Sequence, residues 1–212
     1  HTRMGEYTYA CSDFKFKKGL VSATKTSGHT LQIADGLWLD KKFKAAMMKS
    51  IAQSELDRKR FVYSDIGFIL LQQVVEAVTG KTLDAYLVSE FYRPMGLEHT
   101  LFQPLNRYKK ADIMPTAAND YLRRQDLCGY VHDEAAAFMG GVSGNAGLFS
   151  TAQELGKIYQ MILNEGELDG KRYLRPETCR IFTTEKSAVS HRGLGYDKPN
   201  LKDPKANACA SS

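Results

Sequence analysis

Apolar residues recur at spacings of three and four from Ile66 to Val78, at Phe68, Ile69, Leu71, Val74, Val75 and Val78, so a helix with that face buried is expected. The extended segment Phe61-Val62-Tyr63 leads into it. Ser64 or Asp65 can cap the first turn, because a side-chain oxygen there accepts from backbone N–H groups that lack intrahelical partners. Gly80 suits a left-handed C-cap. A second stripe, Phe43, Ala46, Met47 and Ile51, predicts a helix started by Asp40. Helix resumes at Thr82, passes Tyr86, Leu87 and Phe91, and breaks at Pro94-Met95-Gly96. A short alanine-rich helix spans Glu134 to Met139. After it, Ser150 and Gln153 form a capping-box pattern for a helix with Leu155, Ile158, Tyr159, Ile162 and Leu163 on its buried face, and Pro176 to Phe182 forms one more helix.

Strand patterns are fewer. Leu20–Lys25 and Leu31–Ala34 read as a hairpin closed through Ser27-Gly28-His29. Residues 1–19 and 98–130 read as irregular, and Arg192–Tyr196 as a strand entry. The expected class is mainly α with a small β-hairpin lobe. Expected boundaries are an irregular and hairpin segment over 1–39, a helical lobe over 40–195 and a tail over 196–212, all within one domain.

With 212 residues, 43% of them hydrophobic, the chain can bury one real core. Its net charge of +5 is mild. The basic runs Lys15-Phe16-Lys17-Lys18 and Asp57-Arg58-Lys59-Arg60 lack interleaved aromatics, which argues against a nucleic-acid partner. No apolar run reaches membrane-spanning length. Cys11, Cys128, Cys179 and Cys209 are widely spaced and form no C-x-x-C pair; they are either free or include one bridge. The histidines at 1, 29, 99, 132 and 191 never fall at metal-ligand spacing, so neither metal nor cofactor is expected. No signal peptide is expected within this sequence. It starts at His1-Thr2 without an initiator Met and stops at Ser211-Ser212, and is therefore expected to be a piece of a longer protein.

The chemistry centres on Tyr63-Ser64-Asp65. Tyr63 sits at a helix N-terminus, where the dipole lowers the cost of a phenolate or a bound anion, which suits a proton-transfer group. Four stretches, in order, resemble the serine β-lactamase and penicillin-binding-protein superfamily in its class C and esterase-like branch. Tyr63-Ser64-Asp65 with Ile66-Gly67-Phe68 resembles its Tyr-x-Asn element. Thr79-Gly80-Lys81-Thr82-Leu83 resembles the turn that follows. Phe91-Tyr92-Arg93-Pro94-Met95-Gly96-Leu97 with Thr100-Leu101-Phe102, and Gly140-Gly141 through Ala146-Gly147-Leu148-Phe149-Ser150-Thr151, resemble two later segments. The resemblance covers roughly residues 60 to 195.

It implies an acyl-transfer hydrolase with three elements: S-x-x-K, Tyr-x-Asn and K-T-G or H-x-G. In that frame Tyr63, Ser64 and Asp65 are the catalytic candidates. The first element has letter matches at Ser12…Lys15 and Ser22…Lys25, but Thr26-Ser27-Gly28 makes a turn where the chemistry needs a helix. His191-Arg192-Gly193 matches the third in letters, yet resembles a segment preceding it, so His191 reads as a surface residue. His1-Thr2 resembles the remnant of a segment that follows the nucleophile helix. The resemblance thus implies the helical lobe of an α/β fold, lacking most of the central sheet and inactive alone. It also implies a periplasmic or envelope location, a small-molecule or cell-wall peptide substrate, and the rest of a multidomain parent as partner. Asp65 departs from the family's asparagine: an ionised carboxylate only accepts, which weakens binding of anionic substrates. A non-catalytic binding module that kept the fold is the alternative. Elsewhere, Asp133 reads as a helix cap rather than a dyad with His132. Gly140, Gly141, Gly144 and Gly147 read as tight turns, Trp38 as packing, and Ser143 as no nucleophile.

Overall fold

A computed structural model of the chain describes residues 11–12, 15–54, 63–184 and 190–199, with residues 11, 12 and 15 described by their backbone alone. The runs at 1–10, 57–60 and 200–212, including His1-Thr2, the second basic run and Cys209, lie outside the described residues. The chain divides into two compact units, one containing the described residues up to Thr151 and the other those from Ala152.

In the first unit, β1 (Cys11–Ser12) and β2 (Lys15–Phe16) form a short hairpin where irregular chain was expected. β3 (Val21–Ser22), β4 (His29–Ala34) and β5 (Leu37–Asp40) form a three-stranded antiparallel sheet in the order β3-β5-β4. This corrects the expected hairpin between the first two: the tight turn is Asp35-Gly36, with Gly36 at φ +59°, and β5 returns between them. Leu39 is fully buried beneath the sheet, whereas Trp38 stands on the other face, aligned with Ser22 on one side and Gln32 on the other.

α1 (Phe43–Gln53) buries Phe43, Met47 and Ile51 as its spacing predicts. α2 (Ile66–Thr79) ends at Gly80 in the left-handed conformation. α3 (Leu83–Leu87) runs on into a wider turn over Val88–Tyr92. Short strands follow: β6 (Leu101–Phe102), β7 (Pro115–Ala117) and β8 (Leu127–Cys128). α4 (Glu134–Phe138) is buried throughout, and β9 (Leu148–Phe149) pairs with β6. The core joins Ile33 and Leu39 of the sheet, the buried side of α1, Ile66 and Ile69 of α2, and α4. Phe138 lies at its centre, edge-to-face on Phe43 at 5.2 Å and on Phe16 at 6.4 Å, a burial that contributes about 1.5–3 kcal/mol.

One buried polar element fixes the chain ahead of α4. The Asp120 and Arg123 side chains are 0% and 1% exposed. Arg123 donates to both carboxylate oxygens of Asp120 at 2.9 and 2.8 Å, to the Val131 carbonyl at 2.9 Å and to the His132 carbonyl. A buried charge needs this degree of pairing to be tolerated.

The second unit contains α5 (Ala152–Leu163), a hairpin of β10 (Glu167–Leu168) and β11 (Lys171–Arg172), and α6 (Pro176–Thr183). The hairpin turns through Asp169 and Gly170, both at positive φ, the pairing that primed turns require. α5 buries Glu154 and Met161, while Leu155, Tyr159 and Leu163 of the expected buried face are exposed. The predicted capping box is not used as expected, because the Ser150 hydroxyl bonds Thr100 at 2.8 Å and the Thr151 carbonyl at 3.2 Å. The segment read as a strand entry closes instead as a turn, with the Gly193 N–H donating to the Tyr196 carbonyl at 3.0 Å.

Candidate functional site

Tyr63, Ser64 and Asp65 stand together at the N-terminus of α2. Tyr63 is 68% exposed; Ser64 and Asp65 are half-buried. Asp65 holds the N-cap position, but its backbone is already helical and its side chain makes no capping bond. That corrects the expected cap: the Asp65 carboxyl lies instead within the influence of Asn145, on the glycine-rich turn, and of Asp133.

Asn145 ties three elements to one point. Its Nδ2 donates to Asp133 Oδ1 at 3.0 Å, and its Oδ1 accepts from the Ser143 hydroxyl at 2.7 Å. Asp133 in turn caps α4, accepting from the Ala136 N–H at 2.7 Å, as its position before the alanine run predicts. Two carboxyl groups thus converge on one amide. Burial pushes the Asp65 carboxyl above the ordinary 3.8, the charge of Asp133 pushes it further, and the Asn145 hydrogen bond pulls it back.

The turn is seated on α2 by a second set of bonds. Gln72, 2% exposed, accepts from the Gly144 N–H at 3.1 Å and donates to the Val142 carbonyl at 3.3 Å and to Glu76 at 3.0 Å. Gly144 lies so close that a Cβ there would stand 2.2 Å from the Phe68 carbonyl oxygen; only glycine admits this approach. The buried ridge of α2 is consequently Ile66, Ile69 and Gln72. Phe68, Leu71, Val74 and Val78, expected inside, are 41%, 57%, 56% and 81% exposed. Part of that apolar face, with Leu87, Phe102 and Leu148, lines a trough of about 330 Å³ that reaches Asn145. Chemically, the site offers a phenol for proton transfer, a carboxylate acceptor, and an apolar recess beside them.

Other candidates fall elsewhere. Ser22 is on strand β3, where its hydroxyl accepts from the Thr24 N–H at 3.3 Å, and Lys25 is exposed with its ammonium 5.5 Å over the Trp38 ring. The helix-face geometry needed for a serine–lysine pair is therefore missing, as the turn residues predict. Ser12 and Lys15 face each other across the β1–β2 hairpin in register, and their side chains lie outside the described residues. His191 bonds Asp197 at 3.0 Å in the second unit. Ser143 is buried and spent on Asn145. Cys128 and Cys179 are free thiols. Among the described residues no group of His, Cys, Asp and Glu could hold a metal ion, and no helix is long and apolar enough to cross a membrane. Sequence reasoning missed Gln72 and Asn145; the signal for the first was an amide set in an otherwise apolar stretch.

Comparison with known proteins gives a consistent result. The family model described as Beta-lactamase matches residues 23–199. A putative D-alanyl-D-alanine carboxypeptidase of Escherichia coli K12 is 39% identical over 149 residues, covering 65% of this chain and 34% of that protein. An N-acetylmuramyl-L-alanine amidase of Bacillus subtilis is 36% identical over 155 residues, covering 68% and 35%. The matched part of the chain thus spans about a third of the length of these relatives. The octameric penicillin-binding protein homologue from Pyrococcus abyssi is similar over 73% of this chain and 35% of its own, at 17% identity and a TM-score of 0.49.

Proposed function

Because the chain belongs to the β-lactamase family, we propose that it is one part of a cell-envelope serine hydrolase that transfers acyl groups of cell-wall peptides or related amides and esters. In this reading the chain supplies the helical lobe of the fold and one wall of the site. Tyr63 is the proton-transfer group, Ser64 lines the entry to α2, and Asp65 orients the substrate amide. The nucleophilic serine, its lysine and most of the central sheet belong to other parts of a longer protein, so the 212-residue chain is inactive alone. The observation that carries the reading is the placement of an exposed Tyr63 at the start of α2, with Asp65 next to it facing the Asn145–Asp133 pair. Relatives about twice as long as the chain leave room for the missing elements.

A non-catalytic binding module is the second reading, favoured by two observations. Ser22 and Lys25 do not share a helix face, and Asp65 meets a second carboxylate, Asp133, which disfavours anionic substrates. Labelling with a fluorophosphonate or a fluorescent penicillin, followed by peptide mapping, separates the two. A longer protein labelled on a serine outside this chain, with the 212-residue chain silent, is the expected result. In that longer protein Tyr63→Phe should slow acylation by about 10²–10⁴-fold. Labelling at Ser22 would overturn the assignment of roles; no labelling of the longer protein would leave the binding module.

A further inference from the structure

A second concave site lies in the first unit, against strands β4 and β5. It has a volume of about 260 Å³, and its lining includes Trp38, Gln32, Lys25, Gln103 and Asn106 together with Tyr130 and an apolar part formed by Leu31, Ile33 and others, beside the Gly140-Gly141 turn. None of these residues takes part in the Tyr63–Asp65–Asn145 cluster.

The lining is unusual in its chemistry. Side-chain amides from two separate segments, β4 and the turn after β6, line it beside the Trp38 ring. Gln32 and Trp38 are cross-strand partners in β4 and β5, so the indole and one amide are held on a common surface. The other two amides are fixed to each other: Asn106 Nδ2 donates to Gln103 Oε1 at 3.1 Å, and Gln103 Nε2 donates to the Gly140 carbonyl at 2.5 Å. Gln103 is also held at φ +49°, ψ +59°, a left-handed conformation that side chains other than glycine adopt rarely and mostly where surrounding structure imposes it. Each amide carries two N–H donors and two acceptor lone pairs, so the bonds above leave Asn106 Oδ1 and one Gln103 N–H unspent. Lys25 completes the rim. Its ammonium stands 5.5 Å over the Trp38 ring, and among the described residues it meets no carboxylate.

A planar ring beside prearranged amides matches a saccharide. The apolar face of a pyranose covers an indole, and its hydroxyl and acetamido groups exchange hydrogen bonds with amides that both donate and accept. The ammonium adds a requirement for negative charge. Ligand pockets start at ~300 Å³, so this one takes a single ring-sized group. We propose that the pocket between Trp38, Lys25, Gln103 and Asn106 binds one carboxylate-bearing amino-sugar ring, separate from the Tyr63 site. The ligand class follows from the lining. The choice of N-acetylmuramic acid as probe rests on the cell-wall reading above.

The chain's single tryptophan is Trp38, so its fluorescence reports this pocket directly. The 212-residue chain is titrated with N-acetylmuramic acid, with N-acetylglucosamine (the same ring without the carboxylate) and with D-alanyl-D-alanine (a carboxylate without the ring). A saturable change at millimolar N-acetylmuramic acid is expected, with N-acetylglucosamine about 10-fold weaker and the dipeptide silent. Lys25→Met should erase the difference between the two sugars, and Asn106→Ala should weaken both. Lys25 and Asn106 are exposed, so these rim changes leave the core intact; far-ultraviolet circular dichroism checks this. No saturable response to either sugar overturns the proposal. So does equal binding of the two sugars that Lys25→Met leaves unchanged, or a dipeptide that binds as well as the acidic sugar. None of these failures touches serine labelling of the longer protein, so the two proposals fail separately.

Discussion

Arg123→Met tests whether the site is held by the buried ion pair that precedes α4. The substitution keeps an unbranched side chain of comparable reach but removes four donated hydrogen bonds. Two go to Asp120, whose side chain is 0% exposed, and two to the carbonyls of Val131 and His132. Breaking a buried pair from one side costs about 3–5 kcal/mol, because the remaining charge is left uncompensated. For a chain of this size 1 kcal/mol corresponds to about 2–4 °C in Tm, so the loss is roughly 6–20 °C. Trp38 lies in the same unit, and its fluorescence follows that unit's melting. A pH signature accompanies the loss. Burial alone would raise the Asp120 carboxyl, but the hydrogen bonds and charge of Arg123 outweigh it and hold the group below its ordinary 3.8. A depressed carboxyl contributes stability above that ordinary value and loses it as pH falls through the lowered one. In Arg123→Met the buried carboxylate prefers its proton, so the deficit should shrink as pH is lowered from neutrality. Asp120→Asn in the same background should recover part of the stability at neutral pH. A loss under about 1 kcal/mol, the range of exposed pairs, or a deficit independent of pH, would refute the reasoning.

Gly144→Ala places a Cβ 2.2 Å from the Phe68 carbonyl oxygen. The turn must retreat and release the Gln72 bond, costing about 2–5 kcal/mol in urea or thermal unfolding; a change near zero would mean that the turn is not seated on α2. The Asp65 carboxyl, followed by carbon-detected NMR, should titrate above 3.8. Asn145→Ala removes the bond that favours its charged form and should raise it further, while Asp133→Asn removes the like charge and should lower it. A raised carboxyl contributes stability at low pH that disappears as pH rises through its folded value, so Asp133→Asn should also reduce the loss of stability on going from pH 3 to neutrality. Shifts of the opposite sign would remove Asn145 from its assigned place.

The parts legible in the sequence are those decided within a few residues. α1, the Gly80 stop, the Asp133 cap and the rejection of Ser22–Lys25 all follow from side chains meeting their own backbone or their own turn. What escaped is decided by residues distant in the chain. Periodicity shows that α2 has two faces, but not which neighbour covers which. Here the glycine turn comes to the Ile66–Ile69–Gln72 side, because Gly144 permits backbone approach and Gln72 satisfies the groups it buries. The richer apolar face, Phe68 to Val78, is left exposed, so hydrophobicity alone selected the wrong side. The same logic governs Asp65. A local rule offers it the N-cap, yet its side chain makes no capping bond and its surroundings are set by Asn145 and Asp133 from elsewhere in the chain. Strand pairing repeats the pattern: Leu20–Lys25 and Leu31–Ala34 are adjacent in sequence, but the Asp35-Gly36 turn inserts β5 between them. In each case the local signal fixed that an element exists, and a polar or glycine contact made far along the chain fixed what it faces. The candidate site at the N-termini of α2 and α4 and one glycine turn is built wholly from contacts of that second kind, which is why Gln72 and Asn145 escaped a reading that had singled out Tyr63 and Asp65 as candidates.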